Sequence, residues 1–381
     1  LSGEAPLERP QVLLLINQGD YLLTQGRLSD AGSLFQQLCE RMEKENGLAY
    51  AGDEARFDLG VAFHRLGRCL RGLGSAEAAV SAFTRARDLL SAMIGGRPLQ
   101  EELLSTYQDL GEVLLRNMQI EAAAEAYGGA LTLATELQDR RALATIEVAQ
   151  GTIAAAHNDV ENARNAWQRA LDHWASLDDK AGMAATWNQL GALDHARGDL
   201  PEAERSYRES LRLAREAGHL SLQAQVLASL AMVLEAEERL DEAGKVYMET
   251  IAFYQEHKQR PLLARAEAGL ADLLLRQGKV QDARVHGEAA RALIENLGPD
   301  ARPWEVYTLL QRIAVAEGDA EREAQWRARA RESYASSPLA RQSLQQWKPV
   351  ITGLARACRG ETLDSATVEL MEKMEQNENW G

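Results

Sequence analysis

The stretch WNQLGALDHARGDLPEAERSYRESL, residues 187–211, reads as two helices joined by a short turn at Gly198. A glycine there admits the positive φ that ends a helix. Asp199 with Glu202 resembles a capping box, and Pro201 suits a first helical turn. Gly191, seven residues before the turn, and Ala203, five after it, fall on successive helices, where two small residues let an antiparallel pair approach closely. Tyr207, four residues beyond Ala203 on the same helix face, is expected to fill the space against the next pair.

The pattern returns at a fixed interval. NDVENARNAW, residues 158–167, and ERLDEAGKVY, residues 238–247, repeat it forty residues to either side. The turn marker then runs through Gly26, Gly74, Met118, Asn158, Gly198, Glu238, Gly278 and Gly318, with steps of 48 and 44 before the forty-residue step sets in. Five residues past the markers stand Ala31, Ala79, Ala123, Ala163, Ala203, Ala243 and Ala283, and in the eighth unit the alanine slips by one, to Ala324. Four further on come Phe35, Phe83, Tyr127, Trp167, Tyr207 and Tyr247, with Gly287 breaking the series. Seven before the markers are Gly19, Gly67, Gly111, Gly151, Gly191, Ala231 and Ala271. One such hairpin cannot bury its apolar face alone, so copies stack. The expected fold is an all-α solenoid of about eight helix–turn–helix units over residues 1–334, near 12–48, 60–98, 104–141, 144–181, 184–221, 224–261, 264–298 and 304–334. Residues 335–381 read as a non-repeat helical cap around Trp347 and Leu370.

Bulk composition agrees. A chain of 381 residues exceeds the roughly 250–300 that one core can serve. Its 45% hydrophobic but only 6% aromatic content, with nine prolines, is a helical mix. A net charge of −15 repels phosphate backbones and anionic membranes, so neither nucleic acid nor membrane is an expected partner. No apolar run approaches the ~18–20 residues of a membrane span. The first ten residues carry no secretory layout, and a start at Leu1 suggests a piece of something longer. Cys39, Cys69 and Cys358 are scattered and odd in number, which points to a reducing, cytoplasmic setting and to buried apolar roles. No phosphate loop, HExxH, GxSxG or CxxC occurs, and the seven histidines share no metal-ligand spacing. No catalytic residue, metal or cofactor is therefore expected. Trp167, Trp174, Trp187, Trp304 and Trp326 read as packing between pairs.

Residues 187–211 match the tetratricopeptide repeat signature at the Trp, Leu-Gly, Ala and Tyr positions, and the resemblance extends over about residues 10–334. The usual unit has about 34 residues; forty implies longer helices. Long units of this kind resemble those of kinesin light chains and of bacterial STAND-type ATPases and CHAT-type proteases. The resemblance implies a right-handed superhelix whose first helices line a concave groove that takes peptides.

Carried onto this sequence, the family's groove positions are His64, Arg68 and Arg71, then Gln108, Glu112 and Arg116, then Thr145 and Thr152, Asn188 and His195, Gln225 and Glu235, and Arg265, Asp272 and Arg276. The basic trio His64, Arg68 and Arg71 lies on one helix face and calls for something anionic nearby, either an acidic group or carboxylate of a bound peptide or an internal partner such as Glu112. The functional expectation is a non-enzymatic module that binds a protein or peptide segment in the groove. Alternatives are the ligand-sensing part of a larger STAND-type ATPase or CHAT-type protease regulator and, more remotely, a structural oligomerisation module or a phosphatase acting on response regulators.

Overall fold

Seventeen-residue helices joined by three-residue turns set the period of the middle of this chain, from residue 140 to residue 279. The computed structural model describes residues 5–44, 47–295 and 302–336. The chain divides into two compact units, residues 1–222 and 223–381. Along the first run α1 (Arg9–Thr24), α2 (Leu28–Met42), α3 (Asp53–Gly72), α4 (Ala76–Ser91), α5 (Arg97–Arg116), α6 (Ile120–Leu137), α7 (Arg140–Ala156), α8 (Val160–Ser176), α9 (Lys180–Ala196) and α10 (Leu200–Glu216). α11 (Leu220–Ala236) spans the division. Along the second follow α12 (Leu240–Glu256), α13 (Arg260–Arg276), α14 (Val280–Ile294), α15 (Pro303–Glu317) and α16 (Ala320–Ala335). Among the described residues there is no β-strand, only one isolated bridge between Leu7 and Leu48. The cap expected at 335–381 lies outside the described residues, apart from Ala335 and Ser336.

All eight turn markers adopt the left-handed conformation, from φ 58° at Asn158 to φ 78° at Gly198. The three non-glycines among them, Met118, Asn158 and Glu238, do so as fully as the glycines. The turns between pairs use the same device at Gln138, Asp178, Gly218 and Lys258, so a left-handed residue recurs every twenty residues from 118 to 278. Each junction closes with a bond from the following N–H to the carbonyl five residues back, as from Asp199 to Asp194 at 2.9 Å and from Asp179 to Trp174 at 3.0 Å. Such closure satisfies carbonyls that the helix end leaves open. The expected capping box at Asp199 is not made: its side chain caps nothing, and Glu202 pairs with Arg205 instead. Asp139, Asp159, Asp179 and Asp319 do cap their helices through the third helical N–H.

Packing bears out the aromatic column and adds a second contact to it: Phe35, Phe83, Tyr127 and Trp167 share buried clusters with Leu66, Leu110, Ile146 and Leu190 of the following pairs, respectively, and each also leans on a glycine of its own pair. An ideal Cβ placed on Gly19, Gly67, Gly111, Gly151 or Gly191 would fall within 2.9 Å of the ring of Phe35, Phe83, Tyr127, Trp167 or Tyr207, respectively. In each case glycine and ring belong to the two helices of one pair, so the small residue seats its own hairpin's ring rather than merely permitting approach. Trp167 adds an indole N–H bond to the Val148 carbonyl of α7 at 3.0 Å. Where Ala231 stands in place of the glycine, Tyr247 turns to the following pair, and its ring lies against Gly269 of α13. Trp174 also reaches the next pair, against Gly182 of α9.

The alanine column from Ala31 to Ala283 is fully buried. α16 departs from it, because Ala324 is exposed and the buried ring is Trp326, stacked on Tyr307. Cys39 and Cys69 are buried free thiols, and burial pushes Cys39 up to about 12 and Cys69 up to about 11, beyond ready thiolate chemistry. Cys358 lies outside the described residues.

Candidate functional site

First helices of successive pairs touch one another: α1 meets α3, α3 meets α5, α5 meets α7, α7 meets α9, and α13 meets α15. Side chains at matching heights on such neighbours are one repeat apart in sequence, so opposite charges about forty residues apart become partners. Arg71 on α3 donates to Asp109 at 2.7 Å and to Glu112 at 2.6 Å on α5. Arg276 on α13 donates to Glu235 on α11 at 2.6 Å, and Arg312 on α15 to Asp272 on α13 at 2.5 Å.

His64 departs furthest from expectation. Expected on the groove face, it is 1% exposed, packed 5.7 Å from the Phe83 ring. Its Nδ1 lies 2.5 Å from a Glu102 oxygen and its Nε2 3.0 Å from an Asp109 oxygen. Carboxylates only accept, so the ring serves both oxygens when it is the cation. Burial pulls the His64 pKa down, but the hydrogen bonds to Asp109 and Glu102 outweigh it and the net displacement is upward, even with Arg65 Nη1 only 2.9 Å from Nδ1. Burial raises Glu102 and Asp109 in turn, yet His64 and the arginines beside them leave both carboxyls below their ordinary range. Arg65 ties Glu102 at 2.7 Å to Asp20 of α1 at 3.1 Å. Arg116 pairs with Glu112 at 2.8 Å, and half-exposed Arg68 stands 3.8 Å from Asp109. The anion that the basic trio calls for is thus internal, and it stitches α1, α3 and α5 together.

The other expected groove residues fall into two groups. Asn188 is buried, its Oδ1 without a partner, as is one oxygen of nearby Asp194, whose other oxygen takes Arg164 at 2.5 Å. His195, Gln108 and Thr152 are half-buried; Thr145, Gln225, Arg265 and Arg276 are exposed. Thr145 and Thr152 turn their hydroxyls back onto the carbonyls of Arg141 and Val148. Glu235 accepts from the Tyr247 hydroxyl as well as from Arg276.

A cavity of about 410 Å³ opens between α13 and α15, with Ile294 at the end of α14 closing one side. It joins Arg265 and Asp272, both expected in the groove, to Trp304, expected as packing between pairs, and to Arg302, Glu305 and Arg312, which sequence reading did not single out. Opposite charge at one repeat's distance, as in Asp272 and Arg312, is the signal that would have found the last of these, as it would have found Glu102 and Asp109. Among the described residues no helix is long and apolar enough to cross a membrane.

The family model of MalT-like TPR regions matches residues 144–379, more than half of the chain. No curated protein matches the sequence. Among solved structures the chain is similar to a signal transduction ATPase with numerous domains from Pyrococcus horikoshii that carries a tetratricopeptide repeat sensor. Identity there is 14% and the TM-score 0.62, with 89% of this chain and 48% of that one covered, so this chain spans about half the length of that protein. It is also similar to the apo form of RapI, at 12% identity and TM-score 0.65 over 96% of this chain and 99% of that one. The apo form of the quorum sensor NprR from B. thuringiensis matches at 14% identity and TM-score 0.58 over 84% and 87%. Likeness at these identities shows the fold, an α-solenoid of tetratricopeptide repeats. By the extent of the family match and the repeated helix pairs that bear it, the chain belongs to the MalT-like TPR regions.

Proposed function

We propose that this chain is a binding module that holds a protein or peptide segment along the exposed side of its first helices, and that it has no catalytic role of its own. The observation that carries the reading is the open cavity between the adjacent first helices α13 and α15, where polar and apolar side chains converge on a preformed frame. Exposed Gln225, Arg265 and Arg276 on α11 and α13 extend the contact surface beside it. Affinity would accumulate over several units, each giving a few side-chain contacts. The setting is cytoplasmic. The test is peptide display against the full chain, followed by exchange of exposed first-helix residues: enrichment of a sequence family whose binding falls tenfold or more with those exchanges supports the reading, and failure to enrich any sequence refutes it.

A second reading is favoured by one particular match. The archaeal protein that covers most of this chain is twice as long and is described as a STAND protein with a repeat sensor. We infer that this chain serves as the sensor part of a larger regulator, in which ligand binding releases a separate engine. Sequencing the surrounding reading frame tests this, since a frame without a nucleotide-binding or protease region would remove it.

A further inference from the structure

We propose that the cavity between α13 and α15 is a subsite for a peptide segment in which an acidic side chain adjoins an apolar one. The inference rests on the binding reading above and assigns it a place and a chemistry. Three guanidinium groups line the cavity, and two of them are committed. Arg312 is held by Asp272 at 2.5 Å, and Arg302 lies 3.3 Å from Glu305. Arg265 is exposed and has no hydrogen-bond or ion-pair partner among the described residues. Among the described residues that line this cavity one cation is left over, and the other charges cancel in pairs.

The remaining lining is apolar. Buried Ala264, Val306 and Leu309 form its floor with the Ile294 side chain, and the half-buried Trp304 ring, held edge-on by Tyr334 at 5.7 Å, forms a wall. A guanidinium beside an apolar floor recognises a carboxylate and a hydrocarbon group presented together, the first by paired N–H donation and the second by loss of apolar area to water. A single spare cation sets the number of carboxylates at one. On α3, by contrast, the basic trio is already neutralised by Glu102, Asp109 and Glu112.

The probes are fluorescein-labelled dodecapeptides of glycine and serine, acetylated and amidated, with a central Leu-Glu, Leu-Gln or Gly-Glu pair, and a fourth ending in a free Leu carboxylate. Binding to the full chain is read by anisotropy and by the indole N–H signal of Trp304, assigned with Trp304→Phe. The Leu-Glu peptide is expected to bind at least tenfold more tightly than the Leu-Gln and Gly-Glu peptides and to shift the Trp304 signal. Arg265→Glu, a change at an exposed side chain, should remove that preference, and Arg265→Lys should keep part of it. Equal binding of Leu-Glu and Leu-Gln, tighter binding of the free Leu carboxylate, or indifference to Arg265→Glu would each overturn the proposal. If peptides selected by display bind but ignore Arg265→Glu, the subsite fails while the binding reading stands; if display yields none, both fail.

Discussion

Replacing Gly151 by alanine tests the central packing rule of the chain. An ideal Cβ at this position lies 2.4, 2.6 and 2.7 Å from three atoms of the Trp167 indole, all well inside contact distance. The ring cannot retreat easily, since it is 3% exposed and its N–H is bonded to the Val148 carbonyl. Forcing extra volume into such a site costs about 1–3 kcal/mol. Against this, alanine is the better helix former by roughly 1 kcal/mol in a helix interior. The net expectation for Gly151→Ala is a loss of up to about 2 kcal/mol. Gly128 supplies the contrast: it sits inside α6 with nothing within 4 Å of an added Cβ, so Gly128→Ala should stabilise by roughly 0.5–1 kcal/mol. Urea unfolding followed by circular dichroism measures both, and hydrogen exchange in α7 and α8 localises the first. In a Trp167→Ala background the penalty at Gly151 should vanish. If Gly151→Ala and Gly128→Ala shift stability in the same direction by similar amounts, the ring-on-glycine account is wrong.

The buried His64 makes stability depend on pH in a definite sense. Its pKa is raised on folding, so its contribution is complete below the unfolded value of about 6.5 and is lost as pH rises through the folded one. Glu102 and Asp109 are lowered, so theirs is present above about pH 4 and fades as pH falls through their folded values. The difference in melting temperature between the native chain and His64→Leu should therefore peak between about pH 4.5 and 6.5 and shrink towards alkaline pH; a flat difference contradicts the assignment. Removing Arg164, as Arg164→Leu, strips the cation from an Asp194 carboxylate that is 1% exposed and should cost towards the lower end of about 3–5 kcal/mol, because the arginine itself is half-exposed; a loss below about 1 kcal/mol in urea titration would show that water already serves that carboxylate. Met118→Gly and Glu238→Gly relieve left-handed strain of about 1–2 kcal/mol, part of which the flexibility of glycine in the unfolded chain takes back, so each should raise the urea midpoint slightly.

The turn markers show what a repeat makes legible. Met118, Asn158 and Glu238 carry no local glycine signal, yet their place in the register assigns them the same backbone state as Gly198, and they adopt it. Contacts that obey no local spacing were not legible in that way. The glycine on which a ring leans lies across a turn rather than along a helix, as Gly151 does for Trp167. The groove residues suffered similarly. The family resemblance implies a groove position for His64, and only Glu102 and Asp109, thirty-eight and forty-five residues away, explain why it is inside. The same distance hid Arg312 beside Asp272 and, with it, half of the cavity that Arg265 lines.

The twenty-residue recurrence of left-handed residues has a mechanical consequence. Junctions within and between pairs share one left-handed turn residue at twenty-residue steps from 118 to 278, so each helix released there frees the same length of chain. Pulled from its ends, such a chain should come apart in equal increments. Each helix released frees roughly 70 Å of contour, and each pair about twice that. A ladder of evenly sized steps in a force trace would be the physical signature of a sequence built by copying one short phrase.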